Sequence, residues 1–430
     1  MEILIKNIRV VNPKTDFDEV SDLFIYEGKV KKIAPAGTLN EEFSGPFART
    51  IDGTGLTAFP GIVDLHVHLR DPGQTEKEDL KSGSLAAAAG GVTTLVAMPN
   101  THPPIDSLEK FEKVTQRAEE VGLVNILQAG SITKGMQGAE LSDMFRMMDA
   151  GCRAFSEDGK SVMDTSLMRD AMRETAESGV PILAHCEDAN LARGVMNAGQ
   201  RSRELGLPGI TNAVENIIEF RDIELSRETG AALHLCHCST KESYEIVKNA
   251  KAKGINVTAE VCPHHFTLID ADIPDANDTN YKMNPPLRSK LDRDALIKGL
   301  ADGTFDCIAT DHAPHTKDDK AKGFLRAPFG IVGLETSFSL SYTELVKKGV
   351  LTFKELVEKL SVNPAKILKI DRGDISEGKT ADIAIADLSE EYRIDTSQFK
   401  GKSNNCPYNG LSVTGRIKMT ICSGKVVYEA

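Results

Sequence analysis

In the stretch "DLHVHLRDPG", Asp64 to Gly73, His66 and His68 alternate with apolar residues, as on a half-buried strand. Side chains two residues apart on a strand point the same way, so both imidazoles can bind one metal ion. Arg70 continues that spacing. An isolated pair of this kind is a weak signal, because packed or exposed histidines produce it too. The other chain segments strengthen it: Asp158, His185, His237 and Asp311 each close a short apolar run. Four imidazoles and two carboxylates exceed what one tetrahedral site uses. They suit two ions that share a bridge and keep positions open for water and substrate. A nitrogen and oxygen set without thiolate suits Zn²⁺, with Mn²⁺ or Co²⁺ as alternatives. The chemistry of such a site is hydrolysis of an amide or related bond. The ions lower the pKa of a bridging water, and a nearby carboxylate carries a proton to the leaving nitrogen. Asp311, in "ATDHAPH", is the best-placed carboxylate; the alternatives are a ligand-only role or a helix N-cap. No GxSxG and no Cys/His signature for acyl-enzyme chemistry is present.

The remaining histidines have plainer readings. His234 precedes His237 by three residues and is expected to pack on the other side of its strand. His102 falls on a loop, and His264 and His265 lie near enough to shape the site. Cys186, Cys236 and Cys238 flank site histidines but are expected to pack as small apolar groups. With no CxxC pair, the eight cysteines read as reduced and buried, which fits a cytoplasmic protein.

Something must bring these residues together. Short apolar runs recur at 61, 92, 123, 151, 181, 232, 255 and 306, eight in all, and each begins apolar and ends polar. Helical patterns lie between most of them. "DSLEKFEKVTQRAEEVG" predicts a helix opened by a capping box of Asp106 and Glu109. "DTSLMRDAMRETAESG" carries Leu167, Met168, Ala171 and Met172 on one stripe and stops at Gly179. Eight buried strands alternating with helices predict an α/β fold, a (β/α)₈ barrel, whose strand ends converge at one mouth. An open doubly wound sheet is the alternative, but no Gly-rich phosphate fingerprint opens a helix. The two chain ends differ from the middle. "EILIKNIRVV" and "DLFIYEGKVKKIAP", then "ADIAIADL" and "TGRIKMTICSGKVVYEA", alternate apolar and polar residues around Gly turns. Both ends are expected to form one small β domain, residues 1–58 and 371–430, around a barrel of residues 59–370.

The bulk properties set limits. A chain of 430 residues, 40% hydrophobic and 27% charged, is that of a globular protein. A net charge of −12 argues against nucleic acid or an anionic membrane as the main partner, but not against a small anionic substrate held by one arginine. The start is not a signal peptide, since Lys6, Asn7 and Arg9 break its apolar residues. No apolar run approaches the roughly 20 residues that cross a bilayer.

The motifs also resemble a known family. "DLHVHLRDPG" and "ATDHAPHTKDDK" are similar to the two signatures of dihydroorotases in the amidohydrolase superfamily. "MPNTHPP", "AFSEDG", "AHCED", "CHCST" and "KMNPPLR" resemble the blocks between them, in order, so the likeness spans essentially the whole chain. It implies one zinc ion on His66, His68, Asp158 and Asp311 and a second on Asp158, His185 and His237, bridged by Asp158 and a hydroxide. Dihydropyrimidinases and allantoinases bridge their metals with a carboxylated lysine; "FSEDG" offers a carboxylate instead. The family usually has Asp-Asp-Gly where this chain has Glu157-Asp158-Gly159, so Glu157 and Lys160 are competing bridge candidates.

For the substrate, the resemblance implies Arg70 and Asn100 on the carboxylate of dihydroorotate, with His315 helping and His68 and Leu69 beside them. Asn284 and the backbone of Phe329 and Gly330 would contact the ring. A salt bridge to Asp71 or Glu78 is the structural alternative for Arg70. The stretch "HTKDDKAKGFLRAPFG" is expected to be a loop over the mouth that closes on substrate. The implied reaction is the reversible cyclisation of N-carbamoyl-aspartate to dihydroorotate in pyrimidine synthesis. An allantoinase or hydantoinase activity is the second reading. The third is a non-catalytic subunit of aspartate carbamoyltransferase, and retention of all six ligand positions argues against it. Association with that enzyme and a homodimer are expectations from family habit.

Overall fold

The computed structural model describes residues 2–39 and 49–430. Its barrel is all parallel and is built from the eight apolar runs. Strand Ile62–Val67 pairs with Val92–Ala97, which pairs with Asn125–Gln128. The chain continues through Gly130–Ser131 to Phe155–Ser156, Ile182–Ala184, Leu233–Leu235, Val257–Val261 and Cys307–Ile308. Closure falls just after the last strand: Thr310 N donates to Asp64 Oδ1 at 3.1 Å, and His68 N donates to His312 O at 2.8 Å. The same Asp64 Oδ1 also accepts from His66 N at 3.1 Å. One buried carboxylate thus joins the first and last strands beside the residues of interest.

Helix Thr165–Ala176 forms as its stripe predicts. Met168, Ala171 and Met172 face the core, and Asp164 caps it by accepting from Ser166 N and Leu167 N. Helix Leu108–Val121 forms too, burying Phe111, Val114 and Ala118, but without the expected capping box. Ser107 is its N-cap. Asp106 is drawn away by Gly135 N, at 2.7 Å, and by Lys110.

Both chain ends enter one eight-stranded sheet. Its order is Lys425–Glu429, Ser412–Cys422, Ile383–Arg393, Thr57–Pro60, Ile3–Asn12, Phe17–Tyr26 and Lys29–Pro35, with Arg49–Asp52 also on Ile3–Asn12. Residues 40–48, within the expected 1–58 segment, lie outside the described residues. The two Gly turns foreseen here are hairpin turns with positive φ at both central residues, Glu27–Gly28 and Ser423–Gly424. They pack against each other: a Cβ on Gly424 would fall 2.5 Å from Gly28 Cα. Glycine is therefore required at this contact both for φ and for space. Among the described residues no helix is long and apolar enough to cross a membrane.

One buried acid makes the fold sensitive to pH. Glu219, on helix Ala213–Thr229, is 1% exposed. Burial, and then the neighbouring Glu215, pushes its carboxyl up to about 8. In the unfolded chain it ionises near 4.5, so the folded state holds the proton longer. Its contribution to stability is complete at low pH and is lost as pH rises from about 4.5 through about 8. Melting temperatures measured from pH 5 to 9 should fall less in Glu219→Gln than in the parent; parallel curves would rule this source out.

Candidate active site

The C-terminal ends of the strands bring the sequence-predicted residues to one place. Asp158 follows strand Phe155–Ser156 and sits at the centre, with all four histidines around it. Its Oδ1 is 3.1 Å from His66 Nε2, 3.4 Å from His185 Nδ1 and 3.6 Å from His237 Nε2, and its Oδ2 is 3.3 Å from His68 Nε2. Asp311 joins from the last strand, with Oδ1 3.1 Å from His68 Nε2 and 3.6 Å from His66 Nε2. Burial alone would raise the Asp311 carboxyl, but the imidazoles of His66 and His68 outweigh it and hold it at about 2.

Hydrogen bonds on the far side of three of the four rings decide which nitrogen faces inward. His66 Nδ1 donates to Glu260 Oε1 at 3.1 Å, His68 Nδ1 to Asn100 Oδ1 at 2.9 Å, and His185 Nε2 to Glu187 Oε2 at 3.1 Å. That turns His66 Nε2, His68 Nε2 and His185 Nδ1 toward the carboxylates of Asp158 and Asp311, where each can carry a proton or give its electron pair to a metal. Carboxylate and amide partners of this kind set the tautomer of metal-binding imidazoles. His66 Nε2 and Asp158 Oδ1 are buried, close, and without a hydrogen-bond partner. Two acceptors facing each other are stabilised by a cation between them. The ligand atoms of His66, His68 and Asp311 lie within 4.8 Å of one another, as do those of His66, Asp158 and His237. The donor set therefore fits divalent metal.

The backbone is strained at these positions. Arg70, His237 and Asp311 have φ of 59°, 36° and 47°, in the left-handed region. Each costs on the order of 1–3 kcal/mol, and such strain gathers at functional sites. The competing bridge candidates are engaged elsewhere. Glu157 Oε2 accepts from Ile132 N and Thr133 N at 3.1 and 3.0 Å, and Lys160 Nζ donates to Met136 O at 3.2 Å.

Beside the cluster lies a cavity of about 190 Å³, lined by His68, Arg70, Asn100, Asp158, Gly159, His185, His237, Asn284, Asp311, Ala313, His315, Phe329 and Gly330. His66 lies beneath it. The Leu69 side chain is not in its lining; it packs in the core, where a Cβ on Gly83 would come within 2.3 Å of it. Arg70 has no carboxylate partner among the described residues. Its Nε is 3.4 Å from Pro314 O and its Nη2 3.5 Å from His315 Nε2. Asp71 is taken by Arg117, and Glu78 by Ser82 and Lys402 N. Burial lowers the guanidinium only to about 10, so it stays charged. His315 is neutral: burial, then Arg70, pushes it down to about 2, and its Nε2 donates to Phe329 O at 2.8 Å.

Several participants escaped the sequence reading. Glu260 holds His66 Nδ1 with one oxygen and His234 Nε2, at 3.0 Å, with the other. His234 is buried as expected, but against the carboxylate that orients His66. Glu187 joins His185 to Asn284 Nδ2, which donates to it at 2.8 Å. The signal for Glu260 was a lone acid in an apolar strand, and for Glu187 the two-residue spacing from His185. The eight cysteines are all unpaired and buried.

A profile of the amidohydrolase family matches residues 57–427. The chain is 45% identical to the dihydroorotase of Clostridioides difficile over 429 residues, covering all of both chains. The chain belongs to the amidohydrolase family. It is also 45% identical to the dihydroorotase of Halalkalibacterium halodurans over 430 residues, covering 100% of this chain and 99% of that one. Among solved structures of the family, the L-hydantoinase (dihydropyrimidinase) from Arthrobacter aurescens matches with a TM-score of 0.87 at 27% identity, covering 99% of this chain and 96% of that one. The D-hydantoinase (dihydropyrimidinase) from Thermus sp. matches at 0.83 and 25%, covering 100% and 96%. These matches agree with the barrel and small β domain read from the sequence.

Proposed function

We propose that this amidohydrolase is a dihydroorotase, interconverting N-carbamoyl-aspartate and dihydroorotate. The observation that carries the reading is the charged Arg70, which has no carboxylate partner among the described residues, in the cavity wall beside the His/Asp cluster. A neutral cyclic amide has no use for it, whereas a ring bearing a carboxylate supplies the missing anion. The names of the relatives at 45% identity point the same way. The hydantoinase alternative rests on the solved structures, which share the fold at lower identity.

His66, His68 and Asp311 would hold one zinc ion and His185 and His237 a second, with Asp158 as their shared ligand. When bound, such ions supply a water acidic enough to react at neutral pH and polarise the amide carbonyl. The chain's own residues do the rest. Arg70 and Asn100 hold the ring carboxylate, with neutral His315 against them. Asn284 and the Phe329–Gly330 backbone align the ring. In the hydrolytic direction the ring C–N bond breaks as a C–O bond forms. Asp311 accepts the proton lost by the attacking oxygen and returns it to the leaving nitrogen.

The test is to offer the zinc-loaded protein dihydroorotate, allantoin, hydantoin and dihydrouracil in parallel. Dihydroorotate should be opened fastest. Failure to turn it over while opening a neutral ring would transfer the assignment to the cyclic amidases. Arg70→Ala should raise KM for dihydroorotate about 10- to 100-fold, the value of a charge-assisted hydrogen bond. An unchanged KM would remove Arg70 from the carboxylate.

A further inference from the structure

The segment after His315, read from sequence as a mobile loop, is pinned from beneath by two buried lysines. Lys282 and Lys320 are 3% and 6% exposed. Lys282 Nζ donates to Phe324 O and Ala327 O, both at 2.5 Å, and lies 4.5 Å from the centre of the Phe329 ring. Lys320 Nζ donates to Gly330 O at 2.9 Å and to Pro328 O and Lys282 O at 3.2 Å. Gly330 N closes the arrangement by donating to Lys282 O at 3.0 Å. Among the described residues neither ammonium meets a carboxylate. A buried cation paired only with carbonyls is costly to desolvate, so its retention calls for a use. Apart from Lys282 O, the carbonyls engaged belong to Phe324, Ala327, Pro328 and Gly330 of one short segment, and its Phe329 and Gly330 line the cavity with Asp311. Burial pulls Lys282 down to about 8 and Lys320, with Lys282 beside it, down to about 7, so each amine holds the strap chiefly through its hydrogen bonds.

We propose that Lys282 and Lys320 are positioning residues: they clasp the 324–330 strap so that Phe329 and Gly330 hold the substrate ring. The inference rests on the dihydroorotase reading for its substrate, but the clasp itself does not. Lys320→Met keeps the length of the side chain and removes the charge. In the zinc-loaded full-length protein it should raise KM for dihydroorotate about tenfold, as loss of a charged hydrogen-bonding group does, with kcat within threefold of the parent. Hydrogen–deuterium exchange over 321–330, measured without substrate, should quicken while exchange over 62–70 is unchanged. Cooperative melting of the variant with KM within twofold of the parent, or with exchange over 321–330 unchanged, would overturn the proposal. If Lys320→Met does not fold, Lys282→Met is read by the same measurements. Failure of both to fold would also overturn it, by making the amines props of the core. If the parent does not open dihydroorotate, the substrate reading falls, and exchange over 321–330 still decides the clasp.

Discussion

Asp311→Asn should lower turnover of dihydroorotate by about 10³-fold, within the range that removal of a general acid–base group costs. The fold should survive for two local reasons. Asparagine, like aspartate, tolerates the left-handed backbone that Asp311 adopts at φ 47°. Barrel closure next to it runs through Asp64 and Thr310 N rather than through the Asp311 side chain. The amide oxygen can still face His68 Nε2, where Asp311 Oδ1 now lies at 3.1 Å. The amide cannot accept the proton that the mechanism requires. Metal content per chain, measured beside the rate, separates this loss from weakened metal binding. Turnover per bound metal within about tenfold of the parent would refute the proton-transfer role and leave Asp311 a ligand only.

Why these six side chains were legible, and others not, follows from where each stands. His66, His68, Asp158, His185, His237 and Asp311 all close apolar runs. Once parallel strands alternate with helices, the ends must meet at one mouth. The terminal hairpins were legible because their strands mix apolar and polar residues and their turns require glycine. Glu260 was hidden because it stands within strand Val257–Val261, among residues that read as core. Its partners, His66 and His234, come from two other strands, a convergence that no local pattern records. Asp106 misled for the opposite reason: the local signal was good, but a distant backbone amide at Gly135 competed for the carboxylate and won. Lys282 and Lys320 carry no local signal of burial in the sequence. Only the three-dimensional path of the strap makes them buried.

The identity of the metal bridge gives the second large effect. Asp158→Ala should strip metal from the protein and abolish activity. Losing even an outer-shell partner of a ligand costs about 10- to 100-fold in metal affinity, and a shared ligand should cost more. The geometry gives the reason: among the described residues Asp158 is the one carboxylate within 3.6 Å of all four histidines. Without it His66 and His68 keep only Asp311, and His185 and His237 lose the carboxylate they share, with His185 Nδ1 and His237 Nε2 only 2.9 Å apart. The neighbours serve as controls because their side chains are committed elsewhere. Glu157→Gln should keep its metal and lose melting temperature, since Glu157 accepts from the Ile132 and Thr133 amides. Lys160→Ala should be close to the parent in both, because the hydrogen bond of Lys160 Nζ goes to the Met136 carbonyl, away from the cluster. Metal analysis after dialysis against a chelator, with melting curves on the same samples, distinguishes the three. If Lys160→Ala lost metal as Asp158→Ala does, the bridge would be a modified lysine, as in the cyclic amidases. A metal-replete, active Asp158→Ala would remove the shared carboxylate from the site altogether.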